Sequence, residues 1–381
     1  MPLQLRSDLT ALTGYHSPQV AADVRLNTNE SPYPPPPGFF EALQRALHEM
    51  PLHRYPDRHT VRLREAIAHH EGVPPASVFP ANGSNEIIQT LLLAFGGPGR
   101  TACVFTPSYT MHTHIAQTVL TPVVEVKRRA DFLVGGDLVA ATVAKLAPSI
   151  MFFCHPNNPT GLAEDEPAVR AALDLDDMLV VVDEAYGEFL GTSWAQEAVR
   201  RENLAVCRTF SKAWGIPALR LGYLLGSPAW TGLLDQVHLP YHLNAFSQVA
   251  GMLSFDFVDE MRARVATLTS ERDRLYDALA ARSDLTVWPS LSNFLLFRPV
   301  CDAETLWRGL LEHGILVRNF ASRPGIENCL RVTVGTPAEN SRFLSALAAV
   351  LSAVKPATAK PGFDVSSPDS LGSSAVCDEQ L

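Results

Sequence analysis

Met178-Leu179-Val180-Val181-Val182-Asp183-Glu184-Ala185-Tyr186 is an unbroken apolar run that ends abruptly in charge. Five consecutive apolar residues, three of them β-branched, with no polar alternation, read as a short strand buried on both faces. Three further runs share this character: Ala102 to Phe105, Ile150 to Cys154 and Ala205 to Cys207, with helical stretches between them. Strands of this kind alternating with helices predict an α/β fold, a mostly parallel sheet flanked by helices. In such a sheet function belongs on the loops beyond the strand C-terminal ends. Those loops carry the polar residues: Pro107-Ser108-Tyr109, His155-Pro156-Asn157-Asn158-Pro159-Thr160-Gly161, Asp183-Glu184-Ala185-Tyr186 and Ser211-Lys212.

At 381 residues and 46% hydrophobic composition the chain suits two domains. A formal net charge of −9 argues against nucleic acid as a partner, since phosphate-backbone binding needs a basic face. No apolar run approaches the roughly 20 residues of a membrane helix, and Met1 to Arg25 lacks a signal-peptide core, so a cytoplasmic enzyme without a membrane partner is expected. The six cysteines form no C-x-x-C pair and read as reduced packing residues, neither disulfide framework nor zinc site. His69-His70 and His112-x-His114 have no metal-ligand pattern and read as surface or supporting residues; no metal is expected.

Along the chain, residues 1–30 read as an N-terminal arm rather than a core element, followed by a stiff run from Pro34 to Pro37. Residues 31–265 form the expected large domain, with amphipathic helices at Gly38 to Met50, Thr60 to Glu71 and Asn85 to Phe95. Residues 266–352 read as a smaller α+β C-terminal domain with strands at Val287, Phe294 to Phe297 and Leu330 to Val334. Residues 353–381, Ser/Pro/Asp-rich, read as a disordered tail. Gly96-Gly97-Pro98-Gly99-Arg100 is assigned to a turn.

Lys212 lies twenty-nine residues after Asp183 and eight before Arg220. A lysine amine can hold an aldehyde, a carboxylate can keep a ring nitrogen protonated, and an arginine fork suits phosphate oxygens. Taken singly each has a plainer reading: Lys212 as a surface lysine, Asp183 as a helix cap, Ser84 as the N-cap of the helix it opens, Asn158 as a turn residue, Tyr109 as a half-buried tyrosine.

Eight motifs bear on the choice: Leu26 to Tyr33, His53 to Asp57, Asn82 to Glu86, Asn157 to Gly161, Val182 to Tyr186, the Ser211-Lys212 segment, Arg220 to Tyr223 and Leu330 to Gly335. In this order and spacing, from about residue 5 to 352, the chain resembles the fold-type I pyridoxal-phosphate aminotransferases, and among them the histidinol-phosphate aminotransferase family. Departures are Pro217, Ser31 and His155.

The resemblance implies a pyridoxal 5'-phosphate cofactor and assigns expectations to residues. Lys212 would bind the cofactor aldehyde and move the substrate proton, with Asp183 on the ring nitrogen and Tyr186 and Asn158 on the ring oxygen. Tyr109 would stack on the ring, while Gly83, Ser84, Asn85, Thr209, Ser211 and Arg220 would hold the phosphate. Tyr55 would reach a neighbouring subunit's cofactor phosphate, implying a homodimer with shared active sites. Arg331 and Arg318, with Tyr15 and Asn29, would bind substrate, and two arginines suit a phosphate dianion better than a single carboxylate. The implied partners are a small-molecule amino donor and an oxo-acid acceptor: L-glutamate and imidazole-acetol phosphate, giving 2-oxoglutarate and L-histidinol phosphate in histidine biosynthesis. The alternatives are an aromatic amino-acid transaminase, a threonine-phosphate decarboxylase-like enzyme and a non-catalytic regulator on the same fold.

Overall fold

A computed structural model describes residues 3–10, 12, 14, 20–175 and 177–353. Among these the strands are β1 (Val24–Leu26), β2 (Val78–Ala81), β3 (Ala102–Thr106), β4 (Val123–Lys127), β5 (Ile150–Cys154), β6 (Leu179–Asp183), β7 (Leu204–Thr209), β8 (Gly222–Gly226), β9 (Leu285–Val287), β10 (Phe294–Pro299), β11 (Ile315–Phe320) and β12 (Cys329–Thr333).

The four runs read as doubly buried strands are β3, β5, β6 and β7, side by side in a seven-stranded sheet of order β2-β8-β7-β6-β5-β3-β4. The pairs β3/β4, β3/β5, β5/β6 and β6/β7 are parallel, whereas β8 is antiparallel to both its neighbours, β7 and β2. Helices cover both faces. Alternate residues of one strand feed separate cores: Val180 and Val182 pack in the larger cluster, Val181 in the cluster with Ile87, Leu91 and Leu92 of the helix Ser84–Phe95. Burial on both faces is why these strands carry no polar alternation.

The second sheet has the order β1-β11-β12-β10-β9, antiparallel except for β1/β11. Its first strand corrects the reading of residues 1–30 as an arm rather than a core element at Val24–Leu26. Val24 and Leu26 are 2% exposed and β1 pairs in parallel with β11, Val24 opposite Ile315 and Leu26 opposite Val317. Three residues are too few to display a period of two, so nothing local marked the strand. The boundary drawn at residue 265 falls inside the continuous helix Val258–Ala280, which packs on β9 and β10 of the second sheet. Of the tail, Ala353 ends the helix Pro337–Ala353, and residues 354–381 lie outside the described residues.

Leu26→Ala should lower the unfolding free energy by about 2–5 kcal/mol, the usual cost of emptying a buried leucine site. Chemical denaturation measures this, and a loss under about 1 kcal/mol would return the segment to the status of an arm.

Candidate functional site

Parallel strands end on one edge of a sheet, and β8, running the other way, begins there. The edge therefore collects Asn82-Gly83-Ser84 after β2, Pro107-Ser108-Tyr109 after β3, the segment to Asn158 after β5, Asp183 at the end of β6, Ser211-Lys212 after β7 and Arg220 before β8. Of these, Ser84, Ser108, Tyr109, Asn158, Asp183, Ser211, Lys212 and Arg220, with Thr28, Asn29, Arg318 and Arg331 from the second sheet's side, line a single cavity.

One end of the cavity is an anion cradle. Gly83, at φ +79°, is the N-cap of the helix Ser84–Phe95, so Ser84 is that helix's first residue and not its cap. Glu86 reaches back to accept from the Asn82 amide at 2.5 Å, a residue before the cap, and no side chain caps the helix. The dipole and the open first-turn amides therefore face the cavity. A Cβ at Gly83 would lie 2.8 Å from Arg220 Nη2, so glycine is required for the guanidinium to lie along the turn. Thr209 Oγ1, bonded to Ser211 Oγ at 3.0 Å and to the Ser211 amide at 3.2 Å, closes the opposite side. Pro217, unusual in this stretch, opens the 3-10 turn Pro217–Leu219, where a missing N–H costs nothing.

Lys212 is half-buried, its Nζ donating to Thr28 O at 2.9 Å and lying 5.8 Å from the Tyr186 ring centroid. Burial, assisted by the Arg331 charge, lowers its pKa from the ordinary 10.5 to about 8. A large fraction of this amine is consequently neutral, and so nucleophilic, at mildly basic pH.

Asp183 is 1% exposed. Its Oδ1 accepts from the Ala185 amide at 3.1 Å, and its Oδ2 lies 3.0 Å from His112 Nε2. His112, completely buried and stacked 4.8 Å from Phe152, is thus the supporting group that holds the carboxylate from behind. Tyr186 is buried, which pushes its phenol pKa up. Its oxygen accepts from Asn29 Nδ2 at 2.8 Å and more distantly from Asn158 Nδ2 at 3.5 Å, which leaves its own proton to donate into the cavity. Asn29 is itself fixed by Thr333, which exchanges bonds of 3.0 Å with its amide and side chain. Tyr109 donates to Asn85 Oδ1 at 3.1 Å, so Asn85 orients the tyrosine while lining the cavity.

The other end is cationic. Arg318 on β11 and Arg331 on β12 are directly opposed in the antiparallel register. Arg331 Nη1 donates to Asn158 Oδ1 at 2.5 Å and Nη2 to Asn27 O at 2.9 Å. Arg323, on the loop between the two strands, also reaches the cavity and was not singled out in the sequence, where nothing marks which residue of a loop turns inward.

Two expected residues do not join this constellation. Tyr55 is 80% exposed and stacks on Tyr241 at 4.5 Å, outside its own chain's cavity, and Tyr15 lies outside the described residues. Among the described residues no group of three His, Cys, Asp or Glu is arranged to hold a metal ion, and no helix is long and apolar enough to cross a membrane. The five described cysteines are free and buried.

The sequence profile of the family described as "Aminotransferase class I and II" matches residues 22–347. The chain is a class I and II aminotransferase. The aminotransferase is 45% identical over 352 residues to a histidinol-phosphate aminotransferase of Thermobifida fusca (strain YX), an alignment covering 91% of this chain and 95% of that one. With the enzyme of that name from Nocardia farcinica (strain IFM 10152) the identity is 43%, over 90% of each chain. Within the class it belongs with the histidinol-phosphate aminotransferases. Its backbone matches the histidinol-phosphate aminotransferase of Sinorhizobium meliloti in complex with pyridoxal 5'-phosphate at a TM-score of 0.83, 22% identity, and coverage of 92% of this chain and 98% of that one. A Porphyromonas gingivalis L-threonine-O-3-phosphate decarboxylase matches at 0.75 and 22%, covering 86% and 99%, so backbone shape alone does not separate the two reactions.

The aminotransferase works with pyridoxal 5'-phosphate. The residues fit that group: a glycine turn on a helix N-terminus with an arginine for a phosphate, a buried carboxylate for a ring nitrogen, a buried phenol for a ring oxygen, and a lysine of lowered pKa for an aldehyde.

From the lowered Lys212 pKa, the rate at which cofactor-free enzyme captures pyridoxal 5'-phosphate should rise with pH, pass its half-maximum near pH 8 and then level off, because the unreactive protonated amine predominates below that value. Stopped-flow absorbance against pH tests this. A rate still climbing towards pH 10 would mean that Lys212 titrates as an ordinary exposed lysine.

Proposed function

We propose that this aminotransferase moves an amino group between L-glutamate and imidazole-acetol phosphate, giving 2-oxoglutarate and L-histidinol phosphate, a step of histidine biosynthesis. The observation that carries the substrate assignment is the register that sets Arg318 against Arg331. Like charges directly opposite on a sheet destabilise it, and a phosphate dianion between them converts that repulsion into two charge-assisted contacts. A lone carboxylate would offset less of it. The names of the relatives support the same reading.

In this proposal Gly83, Ser84, Thr209, Ser211 and Arg220 hold the cofactor phosphate, Tyr109 covers the ring face, and Asp183, backed by His112, keeps the ring nitrogen protonated. The bound cofactor supplies the electron sink that makes the proton on the amine-bearing substrate carbon labile. Tyr186 Oη and Asn158 Nδ2 orient the ring oxygen. Lys212 Nζ takes the substrate proton and returns it on the other side of the transferred nitrogen, a task that suits an amine with a pKa near 8. Arg331 and Arg318 hold the substrate anion, and Asn29 fixes the Tyr186 hydroxyl.

The enzyme is read as a cytoplasmic homodimer. Tyr55, 80% exposed and stacked on Tyr241, supports the dimer, since an exposed tyrosine outside its own cavity is available to a neighbouring chain's phosphate cradle.

Lys212→Ala should abolish both the visible absorbance of lysine-bound cofactor and turnover, and a variant that still turned over would remove the residue from its role. Single-turnover absorbance on the cofactor-loaded enzyme should show rapid reaction with L-glutamate and L-histidinol phosphate and slow reaction with phenylalanine. Equal or faster reaction with phenylalanine would make it an aromatic transaminase, and release of carbon dioxide without consumption of an oxo acid would make it a decarboxylase.

The shared site is tested by mixing inactive subunits. A Tyr55→Ala chain dissociated and reassembled with a Lys212→Ala chain should recover roughly a quarter of native activity, because half of the random dimers hold one intact site. No gain over the separate variants would confine Tyr55 to its own chain.

A further inference from the structure

Three guanidinium groups surround one aromatic ring at the cationic end of the cavity. The Cζ atoms of Arg323, Arg331 and Arg318 lie 5.4, 5.6 and 5.9 Å from the centroid of Phe320. Arg318 and Arg331 come from opposed strand positions, but Arg323 belongs to the connection between β11 and β12. That connection is not loose. Ile326 is completely buried in a cluster with Phe132, Leu296, Phe320 and Cys329, and Asn328 Nδ2 donates to Pro299 O and Cys301 O at 3.0 and 2.9 Å. Arg323 Nη2 donates to Ser108 O at 2.7 Å, the carbonyl immediately before Tyr109. Ser108 is held in turn by its hydroxyl on Asn157 Oδ1 at 2.9 Å. The guanidinium is therefore clamped between the two sheets and lines the same cavity as the other two arginines.

Such an arrangement brings three guanidinium groups to one end of the cavity. Two arginines already suffice for a carboxylate. A third, fixed rigidly beside them, adds most to an anion of higher charge with oxygens pointing in three directions.

We infer that Arg323 is a specificity-determining residue that selects a phosphate monoester over a carboxylate at the substrate-anion end of the cavity. This rests on the proposed reaction, in which one cavity must accept both L-histidinol phosphate and L-glutamate. The residue favours the phosphate partner, while the carboxylate partner relies on Arg331 with Arg318.

Arg323→Gln and Arg323→Lys holoenzymes decide it. In half-reactions followed by cofactor absorbance, the selectivity ratio for L-histidinol phosphate over L-glutamate should fall about tenfold to a hundredfold in Arg323→Gln, the usual scale for a lost bond to a charged group. Arg323→Lys should recover part of the ratio. Inorganic phosphate, as an inhibitor of the glutamate half-reaction, should weaken by a similar factor in Arg323→Gln. Equal losses for both substrates would overturn the inference and leave Arg323 as a tether between the sheets, and so would an unchanged ratio. Should the native enzyme not react with L-histidinol phosphate, the substrate assignment falls. Inhibition by inorganic phosphate then decides Arg323 alone: weakened inhibition upholds its role, and unchanged inhibition removes it.

Discussion

The cavity depends on how closely β8 passes the turn after β2. A Cβ on Gly222 would stand 2.8 Å from the Ser84 amide nitrogen, 2.9 Å from the Gly83 carbonyl carbon and 2.8 Å from Arg208 O. Only a residue without a side chain lets the three backbones meet there. Because they meet, a helix N-terminus and the arginine preceding β8 reach the same place from opposite chain directions. An all-parallel sheet would send the residue before β8 to the far edge. The single reversed strand is thus what supplies a cation to a rim otherwise built from strand C-terminal ends.

Burial then sets the character of each charge on that rim. Asp183 is kept from water but has two partners, the Ala185 amide and His112, which support the buried carboxylate. Behind the same loop Glu184 accepts from Arg208 Nη2 at 2.9 Å and from the Trp194 amide at 2.7 Å, anchoring the segment between Asp183 and Tyr186 from the other side. Arg128 and Glu164 form a buried ion pair, and Arg128 Nη2 also donates to Asn157 Oδ1 at 3.2 Å, which steadies the turn carrying Asn158. The side chains lining the cavity are in this way backed by a layer of fixed polar groups.

Much of this was legible in the sequence where the physics is local. A doubly buried strand announces itself in four or five residues, so β3, β5, β6 and β7 and the loops beyond them could be read directly, and with them Lys212, Asp183, Asn158 and Tyr186. What escaped depends on tertiary register. The three-residue β1 is a strand only because β11 offers it an edge. His112 looked like one of several unremarkable histidines, and its partnership with Asp183 spans 71 residues of chain. Arg318 and Arg331 could be paired by resemblance, yet their face-to-face register, and the arrival of Arg323 beside them, follow from the length and anchoring of the intervening loop. The helix start at Ser84 illustrates a finer point. The sequence allowed a serine cap, whereas the left-handed Gly83 takes that position and frees the hydroxyl for the cavity.

The two ends of the cavity are electrostatically coupled through Lys212. Its low pKa arises first from burial and then from Arg331, with Arg220 adding a smaller push in the same direction and Glu30 opposing. Both arginines are anion sites in the proposed reaction, so each bound anion cancels part of the field that disfavours a protonated amine. An empty cavity therefore enlarges the neutral fraction of Lys212, the form able to attack an aldehyde. A filled one makes the released amine a better acceptor for the substrate proton. In the proposed reaction the sign is the useful one in both states: the two guanidinium groups would lose part of their influence on the lysine once anions arrived, and its proton affinity would rise when a base is needed.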